Sequence, residues 1–186
     1  MKRTERVDAL IRNNMIYATA LGLIPIPWVD LVAITAVQVN MIKSICDEYD
    51  IDYNESAAKT FITALAGSTF AKLGASLIKS IPVVGSFVGG VSMAVLSGAS
   101  TYAIGKVFKK HFDEGGDLSN FNVDSWRKFY EDMFSEGKIE AEKVEENKSD
   151  YKDIFQKIEK LAQLKDKGII TNEEFQKKKD ELLKSL

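Results

Sequence analysis

Two short stretches of this 186-residue chain carry the residue types of guanine-nucleotide chemistry. Asn147-Lys148-Ser149-Asp150 fits the base-reading pattern Asn-Lys-x-Asp, and Asp113-Glu114-Gly115-Gly116 fits Asp-x-x-Gly. Neither works without a loop whose backbone cradles phosphates. The nearest such stretch, Ser100 to Val107, has Ser100 where the first glycine is needed and Val107 where a magnesium-binding hydroxyl is needed, and no strand precedes it. The matches are read as chance, and the chain is not expected to be a GTPase itself.

The remaining reactive side chains are isolated. His111 is the single histidine and sits among lysines near a helix end, which suits a solvated role favoured by the helix dipole over acid–base or metal work. Cys46 is the single cysteine, so no intrachain disulfide and no zinc-binding thiol cluster can form. On the apolar side of a helix it reads as a small buried hydrophobe, in a reducing setting. No catalytic residue, metal or cofactor is expected, and the protein is read as a non-enzyme.

Charge and length bound the rest. Residues 1–112 hold eleven basic and eight acidic side chains, and the remainder fourteen and nineteen, so a mildly basic apolar half precedes an acidic polar one. Neither has the positive excess that neutralises phosphates, which excludes nucleic acid as a partner. The basic start Met1-Lys2-Arg3 is followed by further charges at Asp8 and Arg12 without a continuous apolar core, so no cleaved signal peptide is expected. The sequons at Asn54 and Asn147 are then chance.

The elements that would position any site are helices, because apolar residues recur every three or four positions. A first helix from about Thr4 to Leu23 ends at Gly22-Leu23-Ile24-Pro25-Ile26-Pro27, where two prolines stiffen the turn and Pro27 can open the next helix. Asp30 lies in the first turn of that second helix, which runs to about Tyr49. Asn54 or Ser56 caps a third helix reaching about Lys79. Pro82 then breaks the chain a second time, which suggests two Pro-broken helical hairpins packed as a pseudo-repeat.

The second hairpin holds the most ambiguous stretch of the chain. Ser80 to Gly105 carries no charge, yet it is built from Gly, Ser and Ala as much as from large apolar residues. Its length suits a bilayer crossing, and its small residues suit close helix packing. Gly85 and Gly89, then Gly90, Ala94 and Gly98, stand four apart, the spacing that lets helices approach closely.

Beyond Gly116, Trp126, Phe129, Tyr130, Met133 and Phe134 follow helical spacing and predict an amphipathic aromatic helix that docks on the bundle. Charges dominate over 135–150, read as a linker between a helical domain at 1–134 and a hairpin at 151–186. In that hairpin Leu161 belongs to the first stripe. Gly168 suits a left-handed helix ending with Ile169 making its hydrophobic contact, and Thr171 with Glu174 forms a capping box. Phe175 and Leu182 belong to the second stripe. A unit of this size needs outside support, so it is expected to self-associate or to bind a protein partner.

Two family resemblances follow. Residues 18–112, with Ile24-Pro25-Ile26-Pro27-Trp28-Val29-Asp30, Gln38, Met41-Ile42, Ile81-Pro82-Val83-Val84-Gly85 and Thr101-Tyr102-Ala103-Ile104-Gly105, resemble the YcjF/GTPase-associated C-terminal helical domain of unknown function. Residues 153–184, with Leu161, Leu164, Gly168-Ile169-Ile170-Thr171, Glu174-Phe175 and Lys179 to Leu183, resemble the SHOCT (short C-terminal) domain. The first resemblance implies a membrane-proximal helical module, with a separate GTPase as a candidate partner; the second implies oligomerisation or partner binding.

The chain is therefore expected to be all-α and to act as a membrane-associated module with an interaction hairpin, on the cytoplasmic face of a membrane or in the cytoplasm. The alternative is a soluble helical adaptor or regulator of a separate GTPase, which the mean hydropathy of −0.12 favours. A membrane-inserting, pore-type effector is the weaker alternative. Asp30, Gln38, Asn40 and Lys72 argue against simple spanning, because unpaired polar groups are costly in lipid.

Overall fold

A computed structural model describes residues 1–22, 30–77, 87–88 and 91–184; side chains 30–33, 68–77, 87–88, 148–155, 180 and 183–184 lie outside the described set. The chain is all-α. Its helices are α1 (Arg3–Leu21), α2 (Asp30–Tyr49), α3 (Glu55–Leu77), α4 (Met93–Asp113), α5 (Val123–Glu146), α6 (Lys148–Asp166) and α7 (Asn172–Lys184). Between α3 and α4, β1 (Phe87–Val88) pairs antiparallel with β2 (Val91–Ser92), with Phe87 opposite Ser92.

Helix α4 is the axis of the molecule. Every residue from Ala94 to Gly105 is buried, so this part of the helix has no wet face and needs no charge. A helix apolar all round is a buried helix. It packs mainly on α1, α5 and α2 and only sparsely on α3, which differs from the expected pairing of α3 with α4 as two arms of one hairpin. The start also differs. The helix begins at Met93, where the Ser92 hydroxyl accepts a hydrogen bond from the Val95 amide at 3.1 Å, and the paired strands β1 and β2 precede it within the charge-free run. A periodicity argument misses this start, because residues on both sides of it are apolar or small.

Helix directions follow from long-range contacts. Asp8 meets Lys106 at 2.8 Å and Gly22 lies against Ala94, so α1 and α4 are antiparallel. Gln38 meets Thr101 and Tyr49 meets Asp113, so α2 runs parallel to α4. Phe61, in the first half of α3, packs beside Phe108 at the end of α4, so α3 runs antiparallel to α4, and α3 also touches β1. The end of α1, the start of α2, the end of α3 and the start of α4 therefore share one pole. The opposite pole is closed by aromatic rings: Phe108 stacks on Phe121 at 4.7 Å, and Phe61 and Phe112 pack around the pair.

Residues 135–146, expected as part of a charged linker, instead complete α5. Gly137, Ala141 and Val144 form its buried stripe, at spacings of four and three. The stripe is short of large apolar side chains because α4 lies so close: a Cβ on Gly137 would stand 3.0 Å from the Ala99 backbone. Small residues at a tight contact leave little hydrophobic signal, and the surrounding Lys and Glu then read as a solvated linker.

Candidate functional site

Three arrangements carry the functional information, and the first is the seam of small residues where α1, α4 and α5 meet. A Cβ on Gly98 would run into the Thr19 hydroxyl and stand 2.9 Å from the Ala141 methyl, and one on Gly105 would press on Ile11. Ala94 is buried against Gly22. The close approach expected of Ala94 and Gly98 is thus made to neighbouring helices of the same chain. Pro25, Pro27, Pro82, Gly85, Gly89 and Gly90 lie outside the described residues. Asp30 opens α2, and its side chain lies outside them too.

A polar cluster crosses the middle of this seam. Gln38 Nε2 donates to Ser100 Oγ at 3.3 Å and to Thr101 Oγ1 at 3.2 Å, and Ser100 Oγ shares a hydrogen bond with Tyr130 OH at 3.0 Å. Thr101 and Thr19 spend their own protons on backbone carbonyls one turn earlier, those of Ser97 and Met15. Burial raises the Tyr130 phenol above the ordinary tyrosine range. The sequence marked Gln38 as a polar residue that lipid would not tolerate; in the fold its amide is satisfied by hydroxyls from α4. Such a cluster stabilises one register of three helices, because a slip would leave buried donors unpaired.

The other polar side chains are structural as well. His111, expected to be solvated, is buried: its Nε2 meets the Asp117 carbonyl oxygen at 2.9 Å and its ring stands edge-on to Phe121 and Trp126. The turn after α4 brings Gly116 against the imidazole and Asp117 back over it, a consequence of the turn's path that helical spacing alone does not reveal. Cys46 is buried, and that burial pushes its thiol up to about 12. Among the described residues no group of three or more His, Cys, Asp or Glu could hold a metal ion.

The C-terminal hairpin carries the third arrangement. Its local signals form as the sequence predicts: Thr171 N donates to Glu174 Oε2 at 2.8 Å and Glu174 N to Thr171 Oγ1 at 3.1 Å. Gly168 adopts φ +69° and, with Ile169, donates to the Lys165 and Leu164 carbonyls, the double bond of a Schellman ending. The hydrophobic contact falls to Ile170, however, while Ile169 stays 64% exposed. Leu161 and Leu182 are half-buried against the core.

The hairpin does not stand apart from the bundle; α6 and α7 lie on α1. Ile158 and Phe175 are buried in the same core as α1 and α4. Lys179 is buried with its ammonium 5.1 Å from the centre of the Tyr17 ring, and Lys165 sits over Phe175 at 5.0 Å. Burial, with Asp166 nearby, raises the Tyr17 phenol to about 12. Beside this contact a cleft of about 430 Å³ remains, lined by amide side chains including Asn13, Asn14, Asn40, Asn172 and Gln176. Tyr17 and Lys179 were not legible as partners, since nothing in two amphipathic stripes says which distant helix each will meet.

Residues 1–138 match the family described as Domain of unknown function (DUF697), and residues 156–183 match the Short C-terminal domain. The chain is 37% identical over 146 residues to Magnetosome membrane protein 22 of Magnetospirillum gryphiswaldense, an alignment that covers 76% of this chain and 75% of that protein. No solved structure matches. Among the described residues no helix is long and apolar enough to cross a membrane.

Proposed function

Because the chain belongs to the Domain of unknown function (DUF697) family and carries a Short C-terminal domain behind it, we propose that it is a non-enzymatic module that sits on a membrane by one pole of its helical bundle. In this reading the C-terminal hairpin is its interaction element. The observation that carries the proposal is the polarity of the bundle. The two Pro-broken connections, 23–29 and 78–92, join helix ends that share one pole, and they hold a single charge, Lys79. The other pole is densely charged: Asp50 pairs with Arg3, Asp113 with Lys109 and Glu114 with Lys110, and Asp47, Asp52 and Asp117 lie beside them. An end with few charges opposite a densely charged one favours a single orientation against a bilayer, because charged groups are costly to take out of water.

The likeness to a protein named for the magnetosome membrane supports the same reading. So does the burial of α4 from Ala94 to Gly105, which keeps the helical part of the charge-free run inside the bundle and leaves peripheral attachment to the connections. The helical domain then extends through α5, and its boundary with the hairpin falls at the α5–α6 junction.

The two tryptophans test this, since Trp28 belongs to the connection 23–29 and Trp126 packs on His111 near the densely charged pole. On adding phosphatidylglycerol–phosphatidylethanolamine vesicles, the Trp126→Phe variant should shift its emission to the blue and float with the vesicles. The Trp28→Phe variant should float without a shift. Absence of flotation, or a shift reported by Trp126 alone, would overturn the proposal.

A further inference from the structure

We propose that Asn147 is a hinge at which α5 and α6 fuse into one helix, and that the α1 face covered by the chain's own hairpin then accepts the hairpin of a second copy. The product is a swapped dimer. This rests on the reading of the hairpin as an interaction element and specifies its partner and mechanism.

Apart from Asn147 itself, the break between α5 and α6 has no local cause. From Lys138 to Lys167 the sequence contains neither proline nor glycine, the residues that usually end a helix. One residue departs from helical geometry, Asn147 at φ −93°, ψ 21°, against roughly −63° and −42° in a helix. Its amide and its Nδ2 both donate to the Lys143 carbonyl, at 3.2 and 2.7 Å, which closes α5. The start of α6 has no side-chain cap. A break of this kind leaves backbone groups on both sides without helical partners, and a continuous helix restores them. What holds the bend is therefore the docking of the hairpin on α1.

That docking is built to release. Where α4 meets α5, glycine and alanine bring backbones into contact; where α7 meets α1, a cleft lined by amide and charged side chains remains and a buried lysine forms part of the contact. Exchange between two copies rebuilds every one of these contacts, because the donor hairpin and the acceptor face are the same in each chain. The gain is the helix across 147 in both copies; the cost is the entropy of association, which concentration offsets.

Light scattering with size-exclusion chromatography on the full chain tests the hinge. Asn147→Ala should lower the dimer dissociation constant about tenfold, since each copy gains the propensity difference between Asn and Ala, and Asn147→Gly should raise it. Strand exchange is read by mixing Asn13→Cys and Gln176→Cys chains with a short bis-maleimide, Cys46 being buried and unreactive. A covalent pair of the two different variants is expected, in greater yield when both carry Asn147→Ala. If the double variant cross-links within one chain while the mixture gives no pair at any concentration, the swap is wrong and the docked hairpin stands. If the double variant gives no cross-link, the docked hairpin itself is wrong. Circular dichroism confirms that each variant is folded.

Discussion

A single hydrogen atom in place of a methyl group decides how closely the helices of this protein approach. Gly98 faces Thr19 and Ala141, so Gly98→Leu should cost well over the ~1–3 kcal/mol typical of overpacking, read as a lower urea midpoint. Gly67 is the control. It lies in α3 with open space around it, so Gly67→Ala should stabilise by up to about 1 kcal/mol. Tyr130→Phe removes the partner of Ser100 and should cost about 1 kcal/mol. Sequence spacing marked Gly98 as a packing residue, but it could not tell Gly98 from Gly67, because only the neighbour's identity distinguishes them. The same limit hid the hydroxyls that satisfy Gln38.

Protons act at this scale too. The Tyr17 phenol and the Cys46 thiol are raised to about 12 by burial, from 10.0 and 9.0. The folded state holds both protons more tightly than the unfolded chain does, so their contribution is complete below pH 9 and is lost as pH rises through 12. Urea midpoints should therefore be level from pH 7 to 8.5 and fall between pH 9.5 and 12. A midpoint that held to pH 12 would contradict the burial of both groups.

At the scale of elements, what the sequence disclosed was punctuation. The Asn54 side chain caps α3 by accepting from the Ala57 amide at 2.9 Å, and Thr171 and Glu174 cap α7 as a reciprocal pair. Such signals are legible because a cap and its helix are neighbours in the chain. The start of α4 and the second half of α5 were not legible. Ser92 caps a helix inside a charge-free run, and the buried stripe in the second half of α5 consists of Gly137, Ala141 and Val144 amid charges. Asn122 accepts from the Asp124 and Ser125 amides and sets where α5 begins. Asn122→Ala should lower stability by about 1 kcal/mol, measured by urea unfolding, with no change in vesicle binding.

The whole molecule is a buried axis with two unlike ends. The charge-free run that suggested a bilayer crossing is in its helical part the centre of a protein core, which the total absence of charge allowed but did not require. If the pole of the two connections makes the membrane contact, attachment is chiefly apolar. Flotation with vesicles should then persist at about 0.5 M salt, where the screening length falls to a few ångströms. Release by salt would point to lysines such as Lys72 and Lys79 instead.

The antiparallel contact of α1 with α4 has a consequence for biosynthesis. Asp8 and Gly22 find Lys106 and Ala94 far along the chain, so α1 leaves the ribosome long before the helix that covers it exists. At roughly 5–20 residues per second, that interval lasts about five to twenty seconds. During it Val7, Ile11, Met15 and Ala18 present an uncovered apolar stripe to chaperones or to a nearby bilayer. A ribosome stalled before residue 93 should therefore hold a nascent chain that proteases cut readily within α1, and one stalled well after residue 146 should not.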